Sequence, residues 1–515
     1  MNYAELFRLT LPETALEIAA LLVLMVDLGL LRKAALPVRA AVAAMLGVVG
    51  CGAAILVMPI QTQGGLYSAG KEQLLLAVGG STSVAQVGIL WLTAFTLLLL
   101  VESDFTLHVG EFVSVVLMAA TGGLLIAAAQ DLLVIFIGLE LLSLGLYILT
   151  AFAKRSGKSA EAAMKYYLFG GMSAAFLLFG FSYLYGIAGS TNLHQILLAT
   201  YGWNAVHAAP LLYVALVMIA AGLGFKVAAV PFHLWAPDTY EGAPAPAAAF
   251  IASVSKVASF ALLISIGTAA WHVFDGAHAV MRVEAHVSLT PQPVFLGFRS
   301  AWMLILLVLA VASMVLGNLA ALAQTSVRRL LAYSAIAHAG YILLGLAYFS
   351  YSPRSAQAVL YYILTYGLTT VGAFGAVAAV ERGAGNDRME AFLGLHKRSP
   401  LLAAVLLVLF LSLAGIPPLV GFWAKFYLFA TVLGVYPGGT ALALVALAVA
   451  MSAVSLYYYL QVLKRAYVME AVDETPVKVH PLTLAVLLLI AAMVVVLGCF
   501  PALLQGWIAG FYPAG

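Results

Sequence analysis

The 515-residue chain is 64% hydrophobic and only 9% charged, with a mean hydropathy of +1.07. Soluble domains carry about 25% charged residues, so this composition excludes a water-soluble globular protein. The formal net charge of +3 is small and dispersed, and gives no basic surface for nucleic acid. A bilayer-spanning helix needs about 20 apolar residues, and such runs recur from Leu11 almost to the C-terminus.

The first apolar run lacks the features of a cleaved signal peptide. No basic leader precedes it, and Arg32 and Lys33 directly follow it. We therefore expect this run to remain as the first span. Its carboxylates Glu13, Glu17 and Asp27 are predicted to lie near the interfaces and to be structural.

The two cysteines, Cys51 and Cys499, lie in separate apolar runs without CxxC or Cys/His spacing. Iron-sulfur, zinc and disulfide roles therefore lack support, and no metal site is predicted. Both thiols are predicted to be buried and inert.

Polar and Pro/Gly-containing breaks divide the chain into fourteen predicted spans. They lie at 11–31, 38–60, 84–102, 110–129, 131–152, 160–188, 210–231, 244–272, 300–323, 329–349, 356–381, 400–432, 438–465 and 480–508. The predicted fold class is an all-α polytopic membrane protein, with residues 1–515 forming a single transmembrane domain. The polar stretch 274–300 is predicted to be an unusually long loop.

The basic residues divide unequally between the two sides of the predicted bundle. Fifteen lie on one side, namely Arg32, Lys33, Arg39, Lys154, Arg155, Lys158, Arg328, Arg329, Arg382, Arg388, Lys397, Arg398, Lys464, Arg465 and Lys478. Five lie on the other, namely Arg8, Lys71, Arg282, Arg299 and Arg354. The excess predicts that the first side is cytoplasmic and that both termini are outside. The remaining lysines, Lys165, Lys226, Lys256 and Lys425, fall inside spans.

Ionisable residues within the spans indicate an internal repeat. Glu140 and Lys226 are 86 residues apart, and His338 and Lys425 are 87 apart. The second pair follows the first by 198 to 199 residues, and the segment MKYYLFGG resembles LYYILTYG at a similar offset of 196 residues. Five helices in each unit would invert the second unit relative to the first, although chance could supply one matching interval. The predicted units are residues 110–272 and 300–465.

An ionisable side chain at mid-bilayer costs at least about 2.5–3.5 kcal/mol, so it usually faces the bundle interior. Lys226, Lys256 and Lys425 are predicted to do so. Lys165, only five residues into its span, could instead extend to the interface. Burial lowers the pKa of a lysine from about 10.4 and a nearby carboxylate raises it. Such lysines can bind and release protons near neutral pH.

Glu140 is the only carboxylate deep in a predicted span, which makes it the natural counter-charge of Lys226; a static ion pair is the alternative. His338, whose ordinary pKa is near 6.5, suits a proton relay. Alternatively, His338 is a core residue hydrogen-bonded to a serine or carbonyl.

Two predicted spans carry helix-breaking residues beside a lysine. Pro231 follows Lys226, and Pro417 and Pro418 precede Lys425. Proline removes a backbone donor, and broken helices at membrane depth are tolerated where they line a cavity or protein interior. Simple packing kinks are the alternative reading.

Several segments together resemble the antiporter-like membrane subunits of NADH-quinone oxidoreductase, respiratory complex I. They include LPETALEIAALLVLMVDL, DLLVIFIGLELLSLGLYIL, AAMKYYLFGGMSAAFLLFGFSYLYG, GFKVAAVPFHLWAPDTYEGAPAP, RRLLAYSAIAHAGY and LAGIPPLVGFWAKFY, and together they span the chain from Leu11 to Tyr427. The resemblance implies fourteen helices, two inverted five-helix units and discontinuous helices 7 and 12. It also implies a proton path in which Glu140 pairs with Lys226, Lys256 lies on the central axis and Lys425 faces the outer half-channel. Lys165 and His338 are further candidates.

The resemblance implies a subunit of a proton-translocating enzyme in the bacterial inner membrane. NADH, flavin, iron-sulfur clusters and quinone would be bound by other subunits, because this sequence has no GxGxxG unit in a βαβ setting, no Walker A loop and no cluster cysteines. Its partners would be other membrane subunits, including antiporter-like neighbours, and the lipid bilayer. Alternatives are a subunit of a Mrp-type cation/proton antiporter or membrane-bound hydrogenase, and a membrane scaffold without transport.

Overall fold

The computed structural model describes residues 7–58, 75–102, 104–200, 209–283, 293–348, 354–435, 438–471 and 475–511. These ranges contain helices and isolated bridges but no β-strand. The helices, in chain order, are α1 (Leu11–Met25), α2 (Leu36–Val57), α3 (Gly80–Leu98), α4 (Val109–Ala128), α5 (Leu132–Thr150), α6 (Gly157–Ala188), α7 (Leu193–Ala199), α8 (Ala209–Val227), α9 (Trp235–Gly242), α10 (Ala245–Ala252), α11 (Val254–Val283), α12 (Pro293–Leu322), α13 (Val327–Ala347), α14 (Arg354–Ala384), α15 (Leu395–Arg398), α16 (Pro400–Ala414), α17 (Val420–Val435), α18 (Gly439–Tyr467), α19 (Pro481–Cys499) and α20 (Pro501–Ala509).

The chain is an all-helical membrane protein. Within the described ranges, twelve helices are long and apolar enough to cross a bilayer. One of the twelve runs through α10 and α11, and α16 and α17 are shorter apolar helices. The helix α1 continues as a π-helical segment, Val26–Leu30.

Local capping residues set several helix starts. The side chain of Asp131 accepts a hydrogen bond from the backbone N–H of Leu133 at the start of α5. Ser156 and Ser326 cap α6 and α13 in the same way. These side chains satisfy amide groups that have no partner within the helix, so the first turns of the spans are fixed by the sequence.

Helical interruptions lie beside the prolines that predict them. The helix α8 ends at Val227, shortly before Pro231, and α9 begins at Trp235. Ala228 follows with a φ of 58°, a left-handed conformation that costs a residue with a Cβ about 1–2 kcal/mol. Residues 415–419, which include Pro417 and Pro418, separate α16 from α17.

A third interruption, at Ser253, has no proline and was not predicted. Ser253 separates α10 from α11 and its hydroxyl donates to the carbonyl of Ala249 at 2.6 Å. Serine hydroxyls that bond to the carbonyl one turn earlier are often found where helices bend. Lys256 follows three residues later, so the interruption lies next to a buried lysine.

Burial separates central helices from peripheral ones. The apolar stretches of α10 to α11 and of α13 are 94% buried inside the protein, and that of α14 is 89% buried. Those of α2, α6, α18 and α19 are less than two-fifths buried, so their apolar faces are available to lipid. The three central helices carry Lys256, His338 and Tyr366, which places these polar side chains at the core of the bundle.

Two sequence predictions were wrong. Helical backbone of α11 and α12 extends into the predicted loop 274–300, of which residues 284–292 lie outside the described ranges. Cys51 is buried as predicted, but Cys499, at the end of α19, is exposed. Its apolar neighbours suggested burial, yet a peripheral helix presents such residues outward.

Candidate functional site

Lys226 lies in the last turn of α8, immediately before the chain leaves the helix. It is only 7% exposed, and its Nζ donates a hydrogen bond to the hydroxyl of Ser143 on α5. Ser143 in turn donates to the carbonyl of Leu139. The Phe225 ring centroid is 5.4 Å from Nζ. A hydroxyl group, rather than a carboxylate, therefore holds this buried amine.

Glu140 lies on the same helix as Ser143 and is half-buried. It interacts electrostatically with Lys226, yet no ion pair joins it to a lysine or arginine in the described part of the chain. The direct pair that the resemblance implies is therefore not formed here. Residues three apart share a helix face, so the Glu140 and Ser143 spacing was a signal that the sequence analysis did not use.

Lys256 is 3% exposed and lies just after the interruption at Ser253. Its Nζ donates to the backbone carbonyl of Ala335 on α13 and lies 5.7 Å from the ring centroid of Tyr366 on α14. The amine thus contacts a carbonyl dipole and an aromatic face, both of which stabilise its charged form. No carboxylate forms an ion pair with it among the described residues.

His338 lies three residues beyond Ala335 on α13 and is 4% exposed. Its Nδ1 is 2.9 Å from the hydroxyl of Tyr362, and its ring centroid lies 4.8 Å from that of Tyr366. Its Nε2 has no hydrogen-bond partner among the described residues. Lys256 and Lys425 both interact electrostatically with this ring, so His338 is close to both amines.

Lys425 connects the two halves of the second interrupted helix. It belongs to α17, and its Nζ donates to the carbonyls of Leu413 at 3.2 Å and Ala414 at 2.8 Å, at the end of α16. It also donates to the hydroxyl of Ser452 at 2.8 Å. The last carbonyls of a helix lack helical partners and carry partial negative charge. The interruption therefore creates the acceptor site that holds this amine.

Lys165 is in a different setting from the other intramembrane lysines. Its side chain is 41% exposed and pairs with Asp238 and Glu161, each at 2.7 Å. Asp238 also binds Arg329 at 2.7 Å, and Arg329 binds Glu241 at 3.0 Å. Lys165 therefore belongs to a network of ion pairs joining α6, α9 and α13, and not to the buried group.

Two of the three carboxylates of this network, Asp238 and Glu241, lie on α9, which is not one of the twelve long apolar helices, and they predict a pH-dependent contribution to stability. Burial opposes their ionisation, but the basic partners outweigh it, so the pKa values of Asp238 and Glu241 lie below their ordinary range. Because the folded pKa is the lower one, the stabilisation is present above about pH 4 and is lost as the pH falls through the folded values.

We expect the Tm of the purified protein to fall on acidification, and an Asp238→Asn, Glu241→Gln double variant to show a fall about 1–2 °C smaller, since partly exposed pairs contribute little. Calorimetry between pH 3 and 7 measures this difference. The control is Glu390→Gln, because Glu390 is exposed and forms no ion pair with a described residue. An equal acid-induced fall in the double variant and the native protein would contradict the prediction.

Buried hydroxyl and amide groups surround the His338 cluster, and the sequence analysis missed them. Asn318 donates to the hydroxyl of Tyr341 at 3.1 Å and accepts from that of Tyr458 at 3.2 Å. The Tyr341 ring centroid lies 5.5 Å from Nζ of Lys425. In sequence these tyrosines look like ordinary aromatic core residues, and only their packing shows that they face titratable groups.

Two of the three first-span carboxylates have polar partners. Asp27 pairs with Arg39 at 2.7 Å, which agrees with its predicted structural role. Glu13 is 5% exposed and accepts a hydrogen bond from Gln86 at 3.4 Å. Glu17 is exposed on α1.

Among the described residues, no group of three His, Cys, Asp or Glu side chains converges as metal ligands would.

Interrupted helices with buried titratable side chains are characteristic of ion-translocating membrane proteins. The family profile described as NADH:quinone oxidoreductase/Mrp antiporter, TM, matches residues 129–289 and 287–452. NADH-quinone oxidoreductase subunit N 2 of Acidobacterium capsulatum is 48% identical, and the alignment covers 99% of both chains. The chain therefore belongs to the NADH:quinone oxidoreductase/Mrp antiporter transmembrane family, in its subunit N branch.

Solved structures agree with this membership. A chain of respiratory complex I from Thermus thermophilus with bound aureothin matches with a TM-score of 0.74 and 32% identity, covering 97% of this chain and 99% of that one. The Mrp complex of Dietzia sp. gives a TM-score of 0.79 at 21% identity, covering 98% of this chain and 53% of that one. The second likeness concerns the fold alone.

Proposed function

We propose that this chain translocates protons across the membrane as a subunit of a bacterial NADH-quinone oxidoreductase. The observation that carries the proposal is the cluster of Lys256, His338 and Lys425 at the centre of the bundle, with Lys226 on a neighbouring interrupted helix. Buried ionisable groups are costly to keep in a membrane, and none of these amines forms an ion pair with a carboxylate among the described residues. Each amine can therefore gain or lose its proton without breaking a permanent salt bridge.

Glu140 sets the proton affinity of Lys226 in this proposal. Movement of Glu140 toward Lys226 favours the charged amine, and withdrawal favours release of the proton. Lys256 receives protons at the centre, His338 passes them on, and Lys425 releases them toward the outer side. Lys165 takes part only as an ion-paired charge near the edge of the bundle.

The proposed architecture has fourteen spans, with helices 7 and 12 discontinuous and residues 110–272 and 300–465 forming two inverted units. In support, α1 and the α16/α17 pair add to the twelve long apolar helices. Lys226 lies in the last turn of α8, and Lys425 binds the last carbonyls of α16. Both amines therefore belong to the negative end of a helix that stops within the membrane.

The redox chemistry is assigned to other subunits of the assembly, which would bind NADH, flavin, iron-sulfur clusters and quinone. The names of the relatives support this assignment. The proposed location is the bacterial inner membrane, with both termini periplasmic according to the distribution of basic residues. A Mrp-type antiporter subunit and a non-transporting scaffold are the competing functions. Mass spectrometry of the intact detergent-solubilised assembly tests for a Mrp-type antiporter, because it identifies the partner subunits. Proton pumping by the Lys226 and Lys425 variants tests for a non-transporting scaffold.

Glu140 provides a direct test of the proposed coupling. We expect Glu140→Gln to lower proton pumping about fivefold, which corresponds to roughly 1 kcal/mol of lost electrostatic interaction. Glu140→Asp keeps the charge and should retain more activity. Pumping is measured in sealed vesicles together with quinone reduction, with Glu470→Gln as an exposed control. Equal pumping by Glu140→Gln and the control would refute the role of Glu140.

A further inference from the structure

An open cleft of 480 Å³ lies at the end of the bundle that is rich in basic residues. Its lining includes the basic side chains Lys158, Arg328 and Arg382 and the acidic side chains Asp104, Glu241, Glu381 and Asp387. Arg328 is 6% exposed, and its Nε has no hydrogen-bond partner among the described residues. The same holds for the hydroxyl of Thr483, which is 2% exposed. The cleft thus contains buried polar atoms that have no hydrogen-bond partner among the described residues.

The helix α14 leads from this cleft to the buried titratable cluster. Gly375 and Ala378 of α14 line the cleft. Toward the centre of the membrane follow Thr370, Tyr366 and Tyr362, spaced four residues apart and therefore on one face of the helix. At about 1.5 Å of rise per residue, these three side chains cover roughly 12 Å of depth.

The inner end of this row contacts both proposed proton carriers. The Tyr362 hydroxyl is 2.9 Å from Nδ1 of His338. The Tyr366 ring lies 5.7 Å from Nζ of Lys256 and packs against the His338 ring. A row of hydroxyl-bearing side chains on a single helix thus ends at Nδ1 of His338, and its middle residue, Tyr366, presents its ring to the amine of Lys256.

Thr370 differs from the other threonines of α14. It is 2% exposed, its hydroxyl donates to no backbone carbonyl of a described residue, and it interacts with the hydroxyl of Tyr366 one turn earlier. Thr365 and Thr369 instead donate to backbone carbonyls one turn earlier, each at 2.7 Å. The Thr370 hydroxyl is therefore not bonded to the described helix backbone and is available to the hydroxyl of Tyr366, the next member of the row.

Another buried hydroxyl lies next to this row. Tyr240 of α9 is fully buried, and its hydroxyl has no hydrogen-bond partner among the described residues. Its ring centroid is 5.6 Å from that of Phe374, which adjoins Gly375 at the cleft, and it interacts electrostatically with Tyr366. Tyr240 therefore lies near the part of α14 between the cleft and Tyr366.

We propose that Thr370, Tyr366 and Tyr362 are the proton-transfer residues that supply Lys256 and His338 from this cleft, an inference that rests on the proposed function. At each step a hydroxyl oxygen accepts an incoming proton and gives up the one it held, so one O–H bond forms as another breaks. The last transfers are to the neutral amine of Lys256 and to Nδ1 of His338. Each hydroxyl returns to its original state by reorienting.

The test compares variants of the assembled complex in sealed membrane vesicles, with proton pumping and quinone reduction both measured. Thr370→Val keeps the shape and removes the hydroxyl, and we expect pumping to fall at least about tenfold, since a positioned proton-transfer group contributes at least this much. Thr370→Ser restores a hydroxyl and should restore pumping.

Thr369→Val is the matched control, because Thr369 is equally buried and its hydroxyl is bonded within the helix. Tyr366→Phe should also be defective, whereas Tyr361→Phe, on another face of α14, should pump normally.

Lys256→Gln, measured in the same series, separates this inference from the proposed function. If Lys256→Gln stops pumping while Thr370→Val and Thr369→Val pump equally, the row on α14 is refuted and the proton-carrying lysine stands. If Thr370→Ser fails as Thr370→Val does, a hydroxyl is not what the position requires, and the proposal is also refuted. Normal pumping by an assembled Lys256→Gln complex overturns both.

Discussion

Replacement of Lys226 by arginine is expected to abolish proton pumping while the subunit remains assembled. Arginine retains a positive charge and can donate hydrogen bonds, but it does not release its proton near neutral pH. If the hydrogen bond to Ser143 and the charge were all that Lys226 provides, arginine would serve nearly as well. We expect a loss of at least about tenfold for Lys226→Arg and a similar loss for Lys226→Ala, since positioned proton-transfer groups contribute at least this much.

The measurement is proton pumping together with quinone reduction in vesicles, with assembly checked on a native gel. Lys154→Arg is the matched control, because Lys154 is exposed and lies in a loop between α5 and α6. Wild-type pumping by an assembled Lys226→Arg complex would remove Lys226 from the proton path. A specific loss in the arginine variant, with a normal control, supports proton release from this side chain.

Replacement of Lys425 by glutamine is expected to have an effect of the same size. The Lys425 amine donates to Leu413, Ala414 and Ser452, so it also satisfies the unpaired end of α16. Glutamine can donate to a carbonyl but cannot carry a proton. The variant therefore separates support of the helix end from proton transfer, and we expect normal assembly with pumping reduced at least about tenfold.

The control for Lys425 is Lys397→Gln, which makes the same chemical change at an exposed lysine just before α16. Thermal unfolding of the two variants reports the structural contribution, and the vesicle assay reports transport. Full pumping by Lys425→Gln would mean that Lys425 serves only to satisfy the carbonyls of the interrupted helix.

The sequence by itself determined the membrane class, most helix positions and the identity of the buried lysines. Apolar runs of bilayer length allow little choice but helices, because backbone polar groups must be satisfied internally. Pro231, Pro417 and Pro418 likewise dictated two interruptions, because proline cannot donate the helical hydrogen bond. Because a lysine that faces lipid is costly in free energy, the burial of Lys226, Lys256 and Lys425 within the protein could be predicted.

Tertiary structure alone decided what these lysines contact. Ser143 rather than Glu140 binds Lys226, and the end of α16 binds Lys425. Neither partner could be read from the sequence, because Ser143 is far from Lys226 along the chain and the acceptors of Lys425 are backbone carbonyls. The bend at Ser253 arises without a proline. The hydroxyls of Tyr362 and Thr370 are also invisible to composition, since buried tyrosine and threonine are usually packing residues. Only the packing of α13 against α14 shows that Tyr362 faces a titratable group. Contacts between helices depend on the rotation of each helix about its axis, and a nearly uniform apolar sequence does not specify that rotation.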